Sequence, residues 1–211
     1  MKKLFIIIIL IPIVLAIACS SSTKSDNTKP NITIIQPQNN ETINDSIYSI
    51  EVSATDSKSI NSITIYIDSI EVASSSGKYD CTYDWHTYYW TEKQEHLIQV
   101  TAMDDNLNTT TKNIDVTLAE EAYVTPKLLS PDDGSQLQNP LEFSWSSLPE
   151  AIQYQIHITI NDTPFLNTAT DTVYSNSFLI YGNGTWKVSA ENGFGMSTNF
   201  SEEKHFVLEQ N

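Results

Sequence analysis

The chain of 211 residues contains no arginine, six glycines, two cysteines and four histidines, and each shortage excludes something. With lysine as its only strong base, 11 in all against 26 acidic residues, it offers no face able to neutralise a phosphate backbone, so nucleic acid is not an expected partner. Two cysteines are too few for a disulfide framework, and they sit at no zinc spacing. Nucleophilic catalysis needs a base beside the serine or cysteine that attacks. His86, His96, His157 and His205 are scattered, with no Gly-x-Ser-x-Gly elbow, no His-Glu-x-x-His and no glycine-rich phosphate loop around them. The acids fall in turns and on outward parities rather than as a glycosidase pair. The sequence thus reads as a non-enzyme, with no cofactor and no metal implied by any motif.

Long hydrophobic runs are also missing, with one exception. Lys2 and Lys3 precede an apolar run from Leu4 to Ala18 that ends in small residues, the plan of a secretory signal peptide. At about 15 residues the run is shorter than the roughly 20 needed to cross a bilayer core, which favours a cleaved leader. Ala16-Ile17-Ala18-Cys19 resembles the lipobox of bacterial lipoproteins. That resemblance implies removal of residues 1–18, a diacylglycerol on Cys19, and a place in the bacterial cell envelope, with Ser20 favouring the outer membrane. Contact with the membrane is then expected through the lipid alone. Nine lysines remain against 26 acids once Lys2 and Lys3 are removed, a balance that anionic headgroups repel.

If Cys19 is acylated, Cys81 has no partner in the chain. Tyr79, Cys81, Tyr83 and Trp85 share one parity of a strand, and Lys78, Asp80, Thr82 and Asp84 the other, which puts the thiol on the core side. An inert buried residue is the favoured reading over a reactive thiol.

Helical periodicity is absent from the exported part. Residues 19–30 form a lipidated cysteine and a polar tether with too little apolar surface to fold. From Asn31 onward, short alternating stretches separated by Asn, Asp, Ser, Gly and Pro predict an all-β chain of sandwich type. Its length suits two modules, 31–118 and 126–211, separated by a linker at 119–125. In the first module strands are expected near 31–36, 46–55, 62–68, 70–74, 78–85, 95–104 and 109–118. The inward sets include Ile63, Ile65 and Ile67, then Ile98, Val100 and Ala102, then Ile114, Val116 and Leu118.

The stretches Pro30-Asn31-Ile32-Thr33-Ile34, Val52-Ser53-Ala54-Thr55-Asp56, Ile63 to Asp68 and His96 to Asp104 resemble the bacterial immunoglobulin-like domains found in tandem on surface proteins. Phe143-Ser144-Trp145, Tyr154 to Ile158 and Gly184 to Asn192 resemble a fibronectin type III-like domain, which implies that Trp145 and Trp186 are core residues. Together these resemblances imply two tandem immunoglobulin-like and fibronectin type III-like β-sandwiches. The function they imply is binding or adhesion to a protein or glycan; the alternative is a structural spacer or assembly component of a larger envelope complex.

Two candidate sites remain. Tyr88, Tyr89 and Trp90 exceed what the first core needs, so the connection from His86 to Gln94 is the expected ligand surface, with Trp90 its most exposed aromatic. Asp56, Asp104, Asp105, Asn106 and Asn108 lie in two loops at one end and could offer oxygens to Ca²⁺, although the same residues are ordinary turn formers.

Overall fold

The computed structural model describes residues 27–91 and 93–210. Residues 1–26, which hold the expected signal peptide, Cys19 and most of the expected tether, lie outside the described residues. Among those described, no helix is long and apolar enough to cross a membrane.

The first module contains β1 (Asn31–Gln36), β2 (Glu41–Ile43), β3 (Ile47–Thr55), β4 (Ile60–Ile67), β5 (Ile70–Ser76), β6 (Asp80–His86), β7 (Glu95–Asp104) and β8 (Thr109–Leu118). One sheet has the order β1-β3-β6 and the other β2-β8-β7-β4-β5. The second module contains β9 (Leu128–Ser130), β10 (Ser135–Leu137), β11 (Leu141–Trp145) and β12 (Ala151–Ile160). It continues with β13 (Thr163–Ala169), β14 (Val173–Asn176), β15 (Gly182–Asn192) and β16 (Lys204–Leu208). Its sheets, β14-β11-β9 and β10-β16-β15-β12-β13, repeat the first topology strand for strand. Both modules are β-sandwiches, each built from one three-stranded and one five-stranded sheet.

Each module opens on a strand that changes sheets. β1 pairs antiparallel with β3, and after Pro37, which has no N–H to continue the ladder, β2 pairs parallel with β8. β9, Pro131 and β10 repeat this against β11 and β16. β2 and β10 were not expected, because three residues are too few to show a period of two.

The alternating isoleucines do what their spacing implies. Ile63, Ile65, Ile67, Ile98, Val100, Ala102, Ile114, Val116 and Leu118 are all buried between the sheets, as are Cys81 and Trp85. Each large side chain removed from water contributes about 1.5–3 kcal/mol. Tyr79 departs from its expected inward place and is 54% exposed. It precedes the first residue of β6, so the parity of that strand does not govern it.

In the second module Phe143 stands 5.1 Å from Trp186 and 5.8 Å from Phe206, ring centre to ring centre, and Trp145 meets Tyr154 at 5.5 Å. Trp145 and Trp186 are buried core residues. Gly184 makes this packing possible, since a Cβ there would lie 2.3 Å from the Phe206 ring.

Candidate functional site: the joint between the modules

The connection after β6 is where aromatic residues exceed the needs of the core. Thr87–Tyr89 form a single 3₁₀ turn, closed by the Trp90 N–H donating to the Thr87 carbonyl. The turn is fastened to its own module by Thr87, whose N–H reaches Ser46 O at 3.1 Å and whose hydroxyl donates to Asp45 O at 2.9 Å.

The structure corrects the expectation that this loop is an exposed platform. Tyr88 and Trp90 are 2% exposed and Tyr89 not at all. The physical reason is that the loop has something to pack against. Tyr89 Oη donates to Pro149 O of the β11–β12 loop at 2.8 Å, and Thr91 Oγ1 to Asn199 Oδ1 of the β15–β16 connection at 3.1 Å. His86 Nδ1 lies 3.0 Å from Glu150 Oε2, an ion-pair distance although out of line for a hydrogen bond. Tyr88 stacks on His86 with ring centres 5.6 Å apart, and its phenol is pushed up to about 12 by burial and then by Glu150. The rings pack on one another and on Trp85, His86 and His96, and the loop reaches the second module through Tyr89 Oη and Thr91 Oγ1.

Behind the loop is a second layer. Trp85, Trp90 and His96 meet edge to face, with ring centres 5.5–6.1 Å apart. His96 Nδ1 contacts Asp68 Oδ2 at 2.6 Å, while Asp68 Oδ1 accepts from Leu97 N–H at 3.0 Å and from Lys93 Nζ at 3.0 Å. Burial alone would raise the Asp68 carboxyl. The Leu97 N–H, His96 and Lys93 outweigh it and hold the group below its ordinary value. A cavity of about 160 Å³ is lined by Asp68, Trp90, Lys93 and His96 from the first module and Met196 from the second. The His96–Asp68 pair braces the β4–β5 turn against β7.

The linker is part of the joint. Its residues 120–122 form another 3₁₀ turn, and Ala122 is fully buried. Pro149, Glu150, Met196 and Asn199 carried no sequence signal, because they lie in loops without periodicity and meet the aromatic turn only through the fold.

The remaining candidates are placed apart. Asp104 is fully buried, but its Oδ1 accepts from the N–H groups of Asn106 and Asn108, both at 2.8 Å, and its Oδ2 from Asn108 Nδ2 at 2.8 Å. Asp56 Oδ1 likewise accepts from Lys58 N–H at 2.9 Å, closing its own loop. Among the described residues no three His, Cys, Asp or Glu side chains gather as metal ligands. The Cys81 thiol is buried and its pKa raised by that burial. His157 keeps its outward parity but is half covered by Phe200, with ring centres 4.4 Å apart, and burial and then Lys187 lower its pKa.

The fold and its joint define a tandem β-sandwich protein. Residues 30–116 match the family model described as Bacterial Ig domain. No curated protein matches the chain. Among solved structures, the fibronectin(III)-like modules of Clostridium thermocellum CbhA align with 12% identity and a TM-score of 0.34, over 85% of this chain and 95% of that one. The FN1–FN3 domains of chicken CNTN1 align with 16% identity and a TM-score of 0.34, over 86% and 67%.

Proposed function

We propose that this chain is a non-catalytic lipoprotein of the bacterial cell envelope in which two β-sandwich modules are locked into one stiff unit that spaces or presents a surface away from the membrane. Immunoglobulin-like and fibronectin type III-like domains are generally non-catalytic. The observation that carries the reading is the burial of Tyr88, Tyr89 and Trp90 against the second module. Large aromatic rings in a joint resist bending, whereas a flexible display would leave the modules connected by the linker alone. β1 pairs with β3 at Asn31 and Thr55, one pole of the first module, while the joint forms around Ile47 and His86 at the other. The first module therefore separates the tether from the second module by the length of β3, about 30 Å at 3.3 Å per residue.

The lipobox-like Ala16-Ile17-Ala18-Cys19 supports the anchor. Growth with a labelled fatty acid tests it. The wild-type chain is expected to take up label and fractionate with membranes, and Cys19→Ala to be unlabelled and soluble. A labelled Cys19→Ala protein would sink the anchor.

A further inference from the structure

The pole of the first module from which the tether leaves is built by three loops. Residues 56–59 join β3 to β4, residues 77–79 join β5 to β6, and residues 105–108 join β7 to β8. Strand pairing sets them side by side, since Asn31 lies opposite Thr55, Ile60 opposite Asp104, Ser62 opposite Ser76, and Ser53 opposite Asp80. Hydrogen bonds tie them together. Asn61 O accepts from Gly77 N–H at 2.8 Å, Asn61 Nδ2 donates to Asp105 Oδ1 at 3.5 Å, and Asp105 N–H donates to Ser59 O at 3.3 Å. The tether is fastened to the same surface by Thr28, whose hydroxyl lies 2.9 Å from that of Ser57.

Two features set this pole apart. Leu107 and Tyr79 are 72% and 54% exposed here, and Leu107 holds a φ of 66°, in the left-handed region where Asn, Asp or Gly ordinarily stands. A leucine at that place carries a backbone cost and an exposed apolar side chain, and neither the turn nor the core requires it. The second feature is charge. From Asn27 onward the pole holds Lys29, Lys58 and Lys78 against Asp56, Asp80, Asp104 and Asp105, whereas the rest of the chain has five lysines against 21 acids. Asp104 is buried and accepts from Asn106 and Asn108, and Asp56 is half-buried with its Oδ1 on the Lys58 N–H. Three exposed lysines therefore meet only Asp80 and Asp105 as exposed acids.

We infer that this pole docks on the membrane surface beside the anchor, with Leu107 and Tyr79 in the interfacial layer and Lys29, Lys58 and Lys78 against lipid phosphates. The inference rests on the reading of Cys19 as the lipidated residue. Cys19 and Asn27 are eight residues apart, so however the intervening chain runs they are separated by at most about 29 Å. A tether of that length makes docking an intramolecular step at high effective concentration, and a contact too weak to hold a free protein is then populated. Tyrosine suits the level of the headgroups, being apolar along the ring and polar at its tip. The charge balance of the whole chain, from which contact through the lipid alone is expected, overlooks this pole, because repulsion from more distant acids fades over about 8 Å at physiological salt. Docking sets the first module end-on to the membrane and holds the second module outermost.

The test couples the chain from Cys19 to Asn211 to a maleimide phospholipid through Cys19, in a Cys81→Ala background that leaves a single thiol, so it does not depend on acylation in cells. The vesicles are phosphatidylethanolamine and phosphatidylglycerol, with or without brominated acyl chains that quench tryptophan. Trp85, Trp90, Trp145 and Trp186 are buried, so a tryptophan added at the surface reports its own contact with lipid. The emission added by Tyr79→Trp should fall by roughly half or more on brominated vesicles. That added by Leu179→Trp, at a 92% exposed position of the second module, should not change. Leu107→Asp, a residue at ease at that φ, and the pair Lys58→Glu with Lys78→Glu should each restore the Tyr79→Trp emission. Circular dichroism identifies any variant that fails to fold, and the exposed lysine pair keeps the test open if Leu107→Asp does. No quenching of Tyr79→Trp, equal quenching of Leu179→Trp, or quenching undiminished in the folded variants would overturn the docking. Failure of the anchor shows separately, in the fatty-acid labelling of Cys19→Ala.

Discussion

Asp68 shows how one side chain organises the joint. It sits in the tight β4–β5 turn with a positive φ of 49°, yet its carboxylate reaches across to Leu97, His96 and Lys93. A carboxyl whose folded pKa is depressed contributes stability that is fully present above its unfolded pKa and is lost as pH falls through the folded value. For Asp68, with an ordinary value of 3.8 lowered by these partners, the loss falls below about pH 4. Asp68→Asn should therefore lower the melting temperature at pH 7 and narrow its gap from wild type as pH is taken below 4. An unchanged gap between pH 7 and pH 3 would show that the carboxylate charge does not brace the fold. Sequence alone offered no sign of this role, because nothing marks Asp68, His96 and Lys93 as neighbours until the strands are paired.

At the scale of elements, what was legible followed from periodicity. β4, β7 and β8 were readable because isoleucine, valine and leucine recur at every second residue, and a register error of one would expose them all. The module boundary was expected between Leu118, where one alternating stretch ends, and Pro126, where another opens. The burial of the 87–90 turn was not, since its excess of aromatic residues fits a ligand platform and a packed joint equally well until the facing loop is known. β15 offers a separate test of packing. Gly184 leaves room for the Phe206 ring in a core that is otherwise full, so Gly184→Ala must displace a buried ring. Overpacking of this kind costs about 1–3 kcal/mol. Chemical denaturation should show that loss in the second module, and a variant as stable as wild type would mean that Phe206 moves aside freely.

For the molecule as a whole, the modules repeat one topology, yet their poles are put to different uses. The pole of the first module beyond β6 is closed by aromatic residues and by the buried Ala122 of the linker, and the second module is held there by Tyr89, Thr91 and His86. The stiffness of this joint is the central claim, and residual dipolar couplings of the isotopically labelled soluble chain test it most directly. One alignment tensor should fit the amides of both modules. In Trp90→Ala, which removes a buried aromatic worth about 3–5 kcal/mol, the couplings should separate into two tensors while both modules keep their dispersed amide spectra. Two independent tensors in the wild-type chain would contradict the account.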